Sequence, residues 1–202
     1  MHGFASSPQS RKAQYFREKF AGRGVEMEIP EMDEGDFENL TIGGQVAVVE
    51  RAAKGEPVVL MGSSMGGYVA ALYAARHAEV TRLVWLAPAL RFPTRWRERY
   101  TEEEFAEWRR AGRKEFFHYG AKESRFLSSK LIEDAPRFED APEVKQPVLL
   151  FHGERDDVVP LGDSIDYAAG HPNVRLQILQ SDHELGDVLP YMWQQTEAFL
   201  FR

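Results

Sequence analysis

The chain has 202 residues, a length that suits one domain and can bury a sizeable core without disulfide bonds. Its formal charge of −7 argues against a nucleic-acid-binding protein, because phosphate contacts need a surplus of Lys and Arg. The lack of cysteine excludes a thiolate metal site and a cysteine nucleophile. No apolar run is long enough to span a membrane, and no signal-peptide pattern opens the sequence. These features predict a globular cytoplasmic protein.

Short apolar runs alternate with helical patterns along the chain. The predicted elements, in chain order, are a helix over 9–21, a strand over 25–30, a helix over 39–54, a strand over 57–62, a helix over 66–78, strands over 82–88 and 147–153, a helix over 161–169, a strand over 174–179 and a helix over 189–201. Several of these strands are apolar at every position, as is typical of parallel strands covered on both faces. The alternation predicts an α/β fold with a mostly parallel, doubly wound sheet and helices on both faces.

The stretch 91–146 interrupts this alternation and is too long for a plain connection. Within it the pattern predicts a helix near 102–113, a hairpin near 116–127 and a helix near 129–137. We interpret the stretch as a small lid-like insertion over the active site, within a single domain that covers 1–202. It is rich in aromatic residues, of which Phe92 and Trp96 are candidates for substrate binding.

The charge of this insertion also differs from that of the rest of the chain. It carries a formal charge of +1, against −8 elsewhere, and four arginines alternate along its first segment: Arg91, Arg95, Arg97 and Arg99. They could form a patch for an anionic substrate, such as a coenzyme A thioester. The commoner alternative is a solvated face that pairs with nearby glutamates.

The clearest local motif is Gly-x-Ser-x-Gly, which spans 62–66 and has Ser64 at its centre. A buried strand precedes it and an alanine-rich helical pattern follows it, the context in which a serine nucleophile stands on a sharp strand-to-helix turn. The flanking glycines are needed because side chains at those positions would clash. At such a turn the backbone N–H of Met65 is free to stabilise an oxyanion.

A serine nucleophile needs a base and a group that orients the base, in the chain order Ser, acid, His. Acidic residues follow the strand predicted over 147–153, and among them Asp156 is the preferred acid, with Asp157 and Glu154 as alternatives. Of the six histidines, His183 alone lies in the loop after the last predicted strand, which makes it the candidate base. We expect the neighbouring Asp182 to shape the loop of His183.

Taken together, these motifs resemble those of serine α/β-hydrolases, and most closely the small YqiA-like esterases. The similarity covers nearly the whole chain and is carried by His2-Gly3-Phe4, Gly62-Ser63-Ser64-Met65-Gly66-Gly67-Tyr68, Ala87-Pro88-Ala89, His152-Gly153-Glu154-Arg155-Asp156 and Asp182-His183. The resemblance implies an α/β-hydrolase fold and a catalytic triad of Ser64, Asp156 and His183. It also implies a second oxyanion donor, the backbone N–H of Phe4. In such proteins an apolar strand leads into the His-Gly-Phe loop, whereas Met1 alone precedes it here.

By this resemblance the protein is expected to be a serine carboxylesterase that acts on small-molecule esters with short-to-medium acyl chains and needs no cofactor. No pattern for phosphate-loop nucleotide binding, zinc ligation or dinucleotide binding occurs, so no metal is expected. Two alternatives stay open. An acyl-coenzyme A thioesterase would use the same triad, and a non-catalytic binding module could share the fold. The oligomeric state is unknown from the sequence.

Overall fold

The computed structural model describes residues 1–201, which form six strands, eight α-helices and two short 3-10 turns. The strands are β1 (Val58–Ser63), β2 (Val80–Leu86), β3 (Arg113–His118), β4 (Glu123–Ser128), β5 (Val148–Gly153) and β6 (Val174–Leu179). The α-helices are α1 (Arg11–Ala21), α2 (Ile42–Ala53), α3 (Met65–Ala74), α4 (Phe92–Arg99), α5 (Glu102–Ala111), α6 (Lys130–Asp134), α7 (Leu161–Gly170) and α8 (Leu189–Leu200).

Four strands form one parallel sheet in the spatial order β1-β2-β5-β6. Because all four run in the same direction, their carboxyl ends meet at one edge, where α/β sheets place their binding sites. The loops that follow β1, β5 and β6 carry Ser64, Asp156 and His183 respectively. The sheet therefore gathers the three predicted catalytic residues at one edge.

Helices cover both faces of this sheet, as predicted. Alternate residues of β2 point to the two faces of the sheet. Leu83 and Trp85 belong to the apolar core on the face covered by α2, α3 and α7. Val84 and Leu86 belong to the core on the other face, which α1 and α8 cover. The period of two along a strand sends successive side chains to opposite faces, so each strand contributes to both cores. Across residues 1–201, no helix is long and apolar enough to cross a membrane.

The stretch 91–146 lies in the connection between the neighbouring strands β2 and β5 and forms a third apolar cluster against α3. Its helices supply Phe92, Phe105 and Trp108 to this cluster, and α3 supplies Tyr68. The predicted helix near 102–113, hairpin near 116–127 and helix near 129–137 correspond to α5, the β3-β4 pair and α6 with the turn that follows it. The helix α4 is not among the predicted elements, because its arginines suggest an alternating segment.

One predicted strand is wrong. Residues 25–30 contain no strand and pair with no part of the sheet. The reason is that a strand needs a backbone partner as well as suitable side chains. Residues 25–30 do not supply a partner for β1. Met1 instead makes backbone hydrogen bonds to β1: its ammonium group donates to the Met61 carbonyl at 2.6 Å, and its carbonyl accepts from the Ser63 N–H at 3.1 Å.

The insertion is tied to the body of the protein by an ion pair between α4 and α7. The Arg95 guanidinium binds both oxygens of Asp163, at 2.8 and 2.5 Å. The Asp163 side chain is 1% exposed, and Arg91 approaches it at 3.6 Å. A bidentate pair of this kind fixes orientation as well as distance. The arginines at the start of the insertion thus have different roles, and two of them face a buried carboxylate.

We expect Arg95→Met to lower the free energy of unfolding by about 2–3 kcal/mol, because it leaves the buried Asp163 with a single, more distant cation. Arg97→Met is the matched control on the same helix, since Arg97 is exposed and makes no ion pair among residues 1–201. It should change the free energy by less than about 0.5 kcal/mol. Urea denaturation of both variants measures the difference, and equal losses would contradict an anchoring role for Arg95.

Candidate active site

Ser64 lies at the turn between β1 and α3 in a backbone conformation that few L-residues adopt. Its φ and ψ angles are 54° and −122°, a combination that costs free energy and persists only where surrounding bonds enforce it. The Ser64 N–H donates to the Leu86 carbonyl at 2.9 Å, and its carbonyl accepts from Gly67 and Ala89, both at 2.9 Å. These bonds hold the turn, and the Ser64 side chain lines the cavity at this edge of the sheet.

The His-Gly-Phe loop (residues 2–4) packs directly against this turn. A Cβ atom at Gly66 would lie 2.5 Å from the His2 carbonyl oxygen, which is too close for any residue other than glycine. On the loop side, a Cβ atom at Gly3 would lie 3.2 Å from the Ser64 Cβ. The missing side chains at Gly66 and Gly3 therefore let the loop reach the candidate nucleophile.

The His2 side chain holds this loop through contacts with two backbone groups. Its Nδ1 lies 3.0 Å from the Gly3 carbonyl, and its Nε2 lies 3.2 Å from the Met32 N–H. Burial lowers the pKa of His2 to about 4, so the imidazole is neutral at pH 7. A neutral ring can donate from Nδ1 and accept at Nε2, which satisfies both contacts.

Two backbone N–H groups at this junction are without acceptors. Among residues 1–201, neither the N–H of Phe4 nor that of Met65 donates to a protein oxygen. Met65 is the first residue of α3, where the N–H has no partner within the helix. Both predicted oxyanion donors are thus available beside Ser64.

The candidate base and acid meet across the loops that follow β5 and β6. His183 Nδ1 lies 2.7 Å from Asp156 Oδ2, so Nδ1 carries the proton and Nε2 is left as an acceptor. The two loops are joined by backbone bonds, one of which runs from the Arg155 N–H to the Ser181 carbonyl at 2.9 Å. A Cβ atom at Gly153 would lie 2.3 Å from a backbone oxygen of the histidine loop, so the loops contact each other closely.

The Asp156 carboxylate is buried and surrounded by donors. Its side chain is 0% exposed, and its Oδ1 accepts from the N–H groups of Val158 and Val159 at 2.9 and 2.8 Å. Burial alone would raise the pKa of Asp156, but hydrogen bonds from His152, His183 and Val159 outweigh it and hold that pKa below its usual range. Asp156 therefore stays ionised next to His183.

His152 is a part of this site that sequence analysis missed. It lies at the end of β5, is fully buried, and places Nε2 3.1 Å from Asp156 Oδ2. Its Nδ1 lies 2.8 Å from the Ser164 hydroxyl. Since Nε2 faces only oxygen acceptors, it carries the proton and donates to the carboxylate. Because His152 precedes the acid loop, the chain order of a triad does not identify it, although it lies only four residues before Asp156.

The other candidates occupy supporting or exposed positions. Glu154 and Asp157 are exposed and do not contact His183, while Asp182 accepts from the N–H groups of Glu184 and Leu185 within its own loop. Among residues 1–201, Ser64 Oγ and His183 share no hydrogen bond, but both line the same cavity. A catalytic hydrogen bond often closes only when substrate is bound.

The cavity has a volume of about 970 Å³ and receives one wall from the insertion. Trp96 and Phe116 line this wall, and both rings contact the ring of Phe4 edge-on, with centroids 5.4 and 5.5 Å away. Phe92 is different, since it is 3% exposed and packs behind Trp96, away from the cavity lining. Of the two predicted substrate-binding aromatics, Trp96 alone lines the cavity. In the described part of the chain, no group of three potential metal ligands comes together.

Solved structures similar to this chain are α/β hydrolases. A putative hydrolase from Agrobacterium vitis S4 has a TM-score of 0.81 at 24% identity, over 98% of this chain and 85% of its own. Est1E from Butyrivibrio proteoclasticus, solved with ferulic acid bound, has a TM-score of 0.83 at 20% identity, over 99% and 86%. Alpha/beta hydrolase domain-containing protein 10 from mouse has a TM-score of 0.79 at 21% identity, over 99% and 87%. The fold is therefore that of the α/β hydrolases, as predicted.

The family assignment is more specific than the fold. Residues 1–200 match the model of the family described as Uncharacterised protein family (UPF0227), and the chain belongs to that family. Its motifs resemble those of serine α/β-hydrolases, and its fold is that of the α/β hydrolases. No curated protein matches the chain.

We expect His152→Phe to lower kcat/KM for an ester about tenfold at pH 7, since the carboxylate loses a charge-assisted hydrogen bond. Without that donor the pKa of Asp156 rises, so protonation removes the negative charge beside His183 at a higher pH than in the wild type. The acidic limb of the pH profile should therefore move to higher pH.

The pH dependence of kcat/KM measures this effect. His152→Gln can still donate from its side-chain amide and should restore much of the wild-type profile. A His152→Phe profile that overlays that of the wild type would show that His152 does not act on Asp156.

Proposed function

We propose that this protein is a serine carboxylesterase, with Ser64 as nucleophile, His183 as general base and Asp156 as the group that orients His183. The observation that carries the proposal is the 2.7 Å contact between His183 and a buried, ionised Asp156, in a cavity that Ser64 also lines. The strained turn at Ser64 supports the same assignment, because nucleophilic serines of α/β hydrolases occupy such turns.

In the first half of the reaction, Ser64 Oγ attacks the acyl carbon and His183 Nε2 accepts its proton. The carbonyl oxygen gains negative charge, which the N–H groups of Phe4 and Met65 stabilise. Asp156 stabilises the imidazolium by accepting from Nδ1. His183 then donates its proton to the leaving oxygen, and the acyl group stays on Ser64.

In the second half, a water molecule attacks the acyl-enzyme while His183 accepts a proton from the water. The tetrahedral intermediate forms at the same two N–H groups and collapses to the free acid, and the proton returns to Ser64. The segment 91–146 acts as a lid that limits access of bulk water and bounds the substrate. The ferulic acid bound by Est1E, which has the same fold, supports a small-molecule substrate.

We expect Ser64→Ala to lower kcat/KM for p-nitrophenyl butyrate about 10⁴-fold or more, since the nucleophile is lost. Release of p-nitrophenolate over a series of acyl lengths measures this activity and gives the preferred chain length.

Ser63→Ala is the matched control, because it removes the same hydroxyl from the adjacent residue and should leave most of the activity. Substantial turnover by Ser64→Ala would contradict the proposed nucleophile. No turnover of any ester by the folded wild-type protein would favour the non-catalytic binding module instead.

A further inference from the structure

The cavity around Ser64 has more positive than negative charge, although the chain has a formal charge of −7. Its charged lining side chains are four cations and two carboxylates: Lys12, Arg99, Lys114, Lys122, Glu115 and Glu184. Within residues 1–201, none of the four cations lies within 4.0 Å of a carboxylate oxygen. Other arginines of the insertion, such as Arg95, do form ion pairs. Cations that line a cavity without carboxylate partners are available to an anionic ligand.

Lys12 differs from the other three cations in its position. Arg99 and Lys114 lie on the insertion, against the ring of Tyr100 at 6.0 and 5.1 Å, and Lys122 is exposed on the β3-β4 turn. Lys12 instead belongs to α1 on the body of the protein and is half-buried. Lys12 is thus the cavity cation that belongs to a helix packed against the parallel sheet.

Lys12, His183 and Glu184 all line this cavity. The preceding residue, Arg11, reaches the loop of His183, where its guanidinium lies 3.8 Å from the position of a Cβ atom at Gly186. The carboxylates whose charge acts on Lys12 are Glu184, Asp156 and Asp182, which belong to the loops that carry the base and the acid. Burial lowers the pKa of Lys12, and these carboxylates oppose the shift without pairing with it. A half-buried ammonium with no hydrogen-bond acceptor among residues 1–201 has donors to offer to a ligand.

We propose that Lys12 binds an anionic group on the leaving-alcohol part of the ester, so that the enzyme prefers substrates with a carboxylate there. This inference rests on the proposed function, in which His183 delivers its proton to the leaving oxygen. The leaving group therefore departs on the His183 side, where Lys12 lies. The oxyanion donors Phe4 and Met65 face the acyl carbonyl and leave the alcohol part to Lys12.

The test compares two esters that differ in one charge on the leaving group, 4-acetoxybenzoate and 4-acetoxybenzamide. A hydrogen bond between charged groups is worth about 1.5–3 kcal/mol, which is roughly a 10- to 100-fold preference for the benzoate in kcat/KM. We expect most of this preference in KM. Lys12→Met should remove it and Lys12→Arg should retain it. The readout is the ratio of kcat/KM for the benzoate to kcat/KM for the benzamide, compared between variants. Intrinsic differences in reactivity between the two esters cancel in this comparison.

Lys19→Met is the matched control, since it removes the same charge from the same helix outside the cavity lining, and its ratio should equal that of the wild type. A second pair, p-nitrophenyl hemisuccinate and p-nitrophenyl butyrate, carries the charge on the acyl side. A Lys12-dependent preference in this second pair alone would overturn the assignment to the leaving group. Equal ratios in wild type and Lys12→Met for both pairs would overturn the anion site.

Binding without turnover separates this inference from the proposed function. In the Ser64→Ala background, calorimetry compares 4-hydroxybenzoate with 4-hydroxybenzamide, with and without Lys12→Met. Benzoate binding that depends on Lys12, together with a folded wild-type protein that hydrolyses no ester, would support the anion site and overturn the esterase. Ester turnover with no effect of Lys12 on selectivity or on binding would support the esterase and overturn the anion site.

Discussion

Both oxygens of the Asp156 carboxylate are bound by donors from three parts of the chain, and the geometry of the site depends on this arrangement. Oδ1 accepts two backbone N–H groups of its own loop, and Oδ2 accepts from His152 at the end of β5 and from His183 in the loop after β6. A buried carboxylate without such donors would take up a proton and could no longer orient a base. The same contacts that keep the charge therefore also join the two loops.

The strained backbone of Ser64 also depends on its surroundings, in this case on the packing of the helix that follows it. Its strained conformation costs on the order of 1–3 kcal/mol. The helix that follows offsets this cost, because all ten residues of α3 are buried. Small residues in that helix let the neighbouring backbone come close, as at Gly66, where the His-Gly-Phe loop passes. The close packing of α3 thus accounts for the burial of the helix and also stabilises the strained turn at Ser64.

Sequence patterns predicted those parts of the fold in which local signals and tertiary packing agree. The four strands of the sheet and the helices that cover it have strong apolar periodicity, and the structure has them within a few residues of the predicted bounds. Residues 25–30 have a strand-like composition but lack a backbone partner, and composition contains no information on pairing. The role of His152 was not predicted for a related reason. The chain order of a triad identifies a base, but it does not show that a second imidazole donates to the same carboxylate. Lys12 was missed because an unpaired charge is recognised only when its neighbours are known.

The arginines at the start of the insertion show why charge patterns need a structure. In sequence, Arg91, Arg95, Arg97 and Arg99 alternate along one segment and suggest one patch. In the structure they separate along α4: Arg91 directly precedes its first turn, Arg95 lies near its middle, and Arg99 is its last residue, about one turn beyond Arg95. Arg91 and Arg95 face Asp163 and hold the insertion on the body, whereas Arg99 lines the cavity. Anchoring and cavity lining are therefore divided between different residues of this short segment. A substitution of the cavity-facing Arg99 would leave the ion pair between Arg95 and Asp163 in place, while the proposed catalytic residues lie on the loops of the parallel sheet.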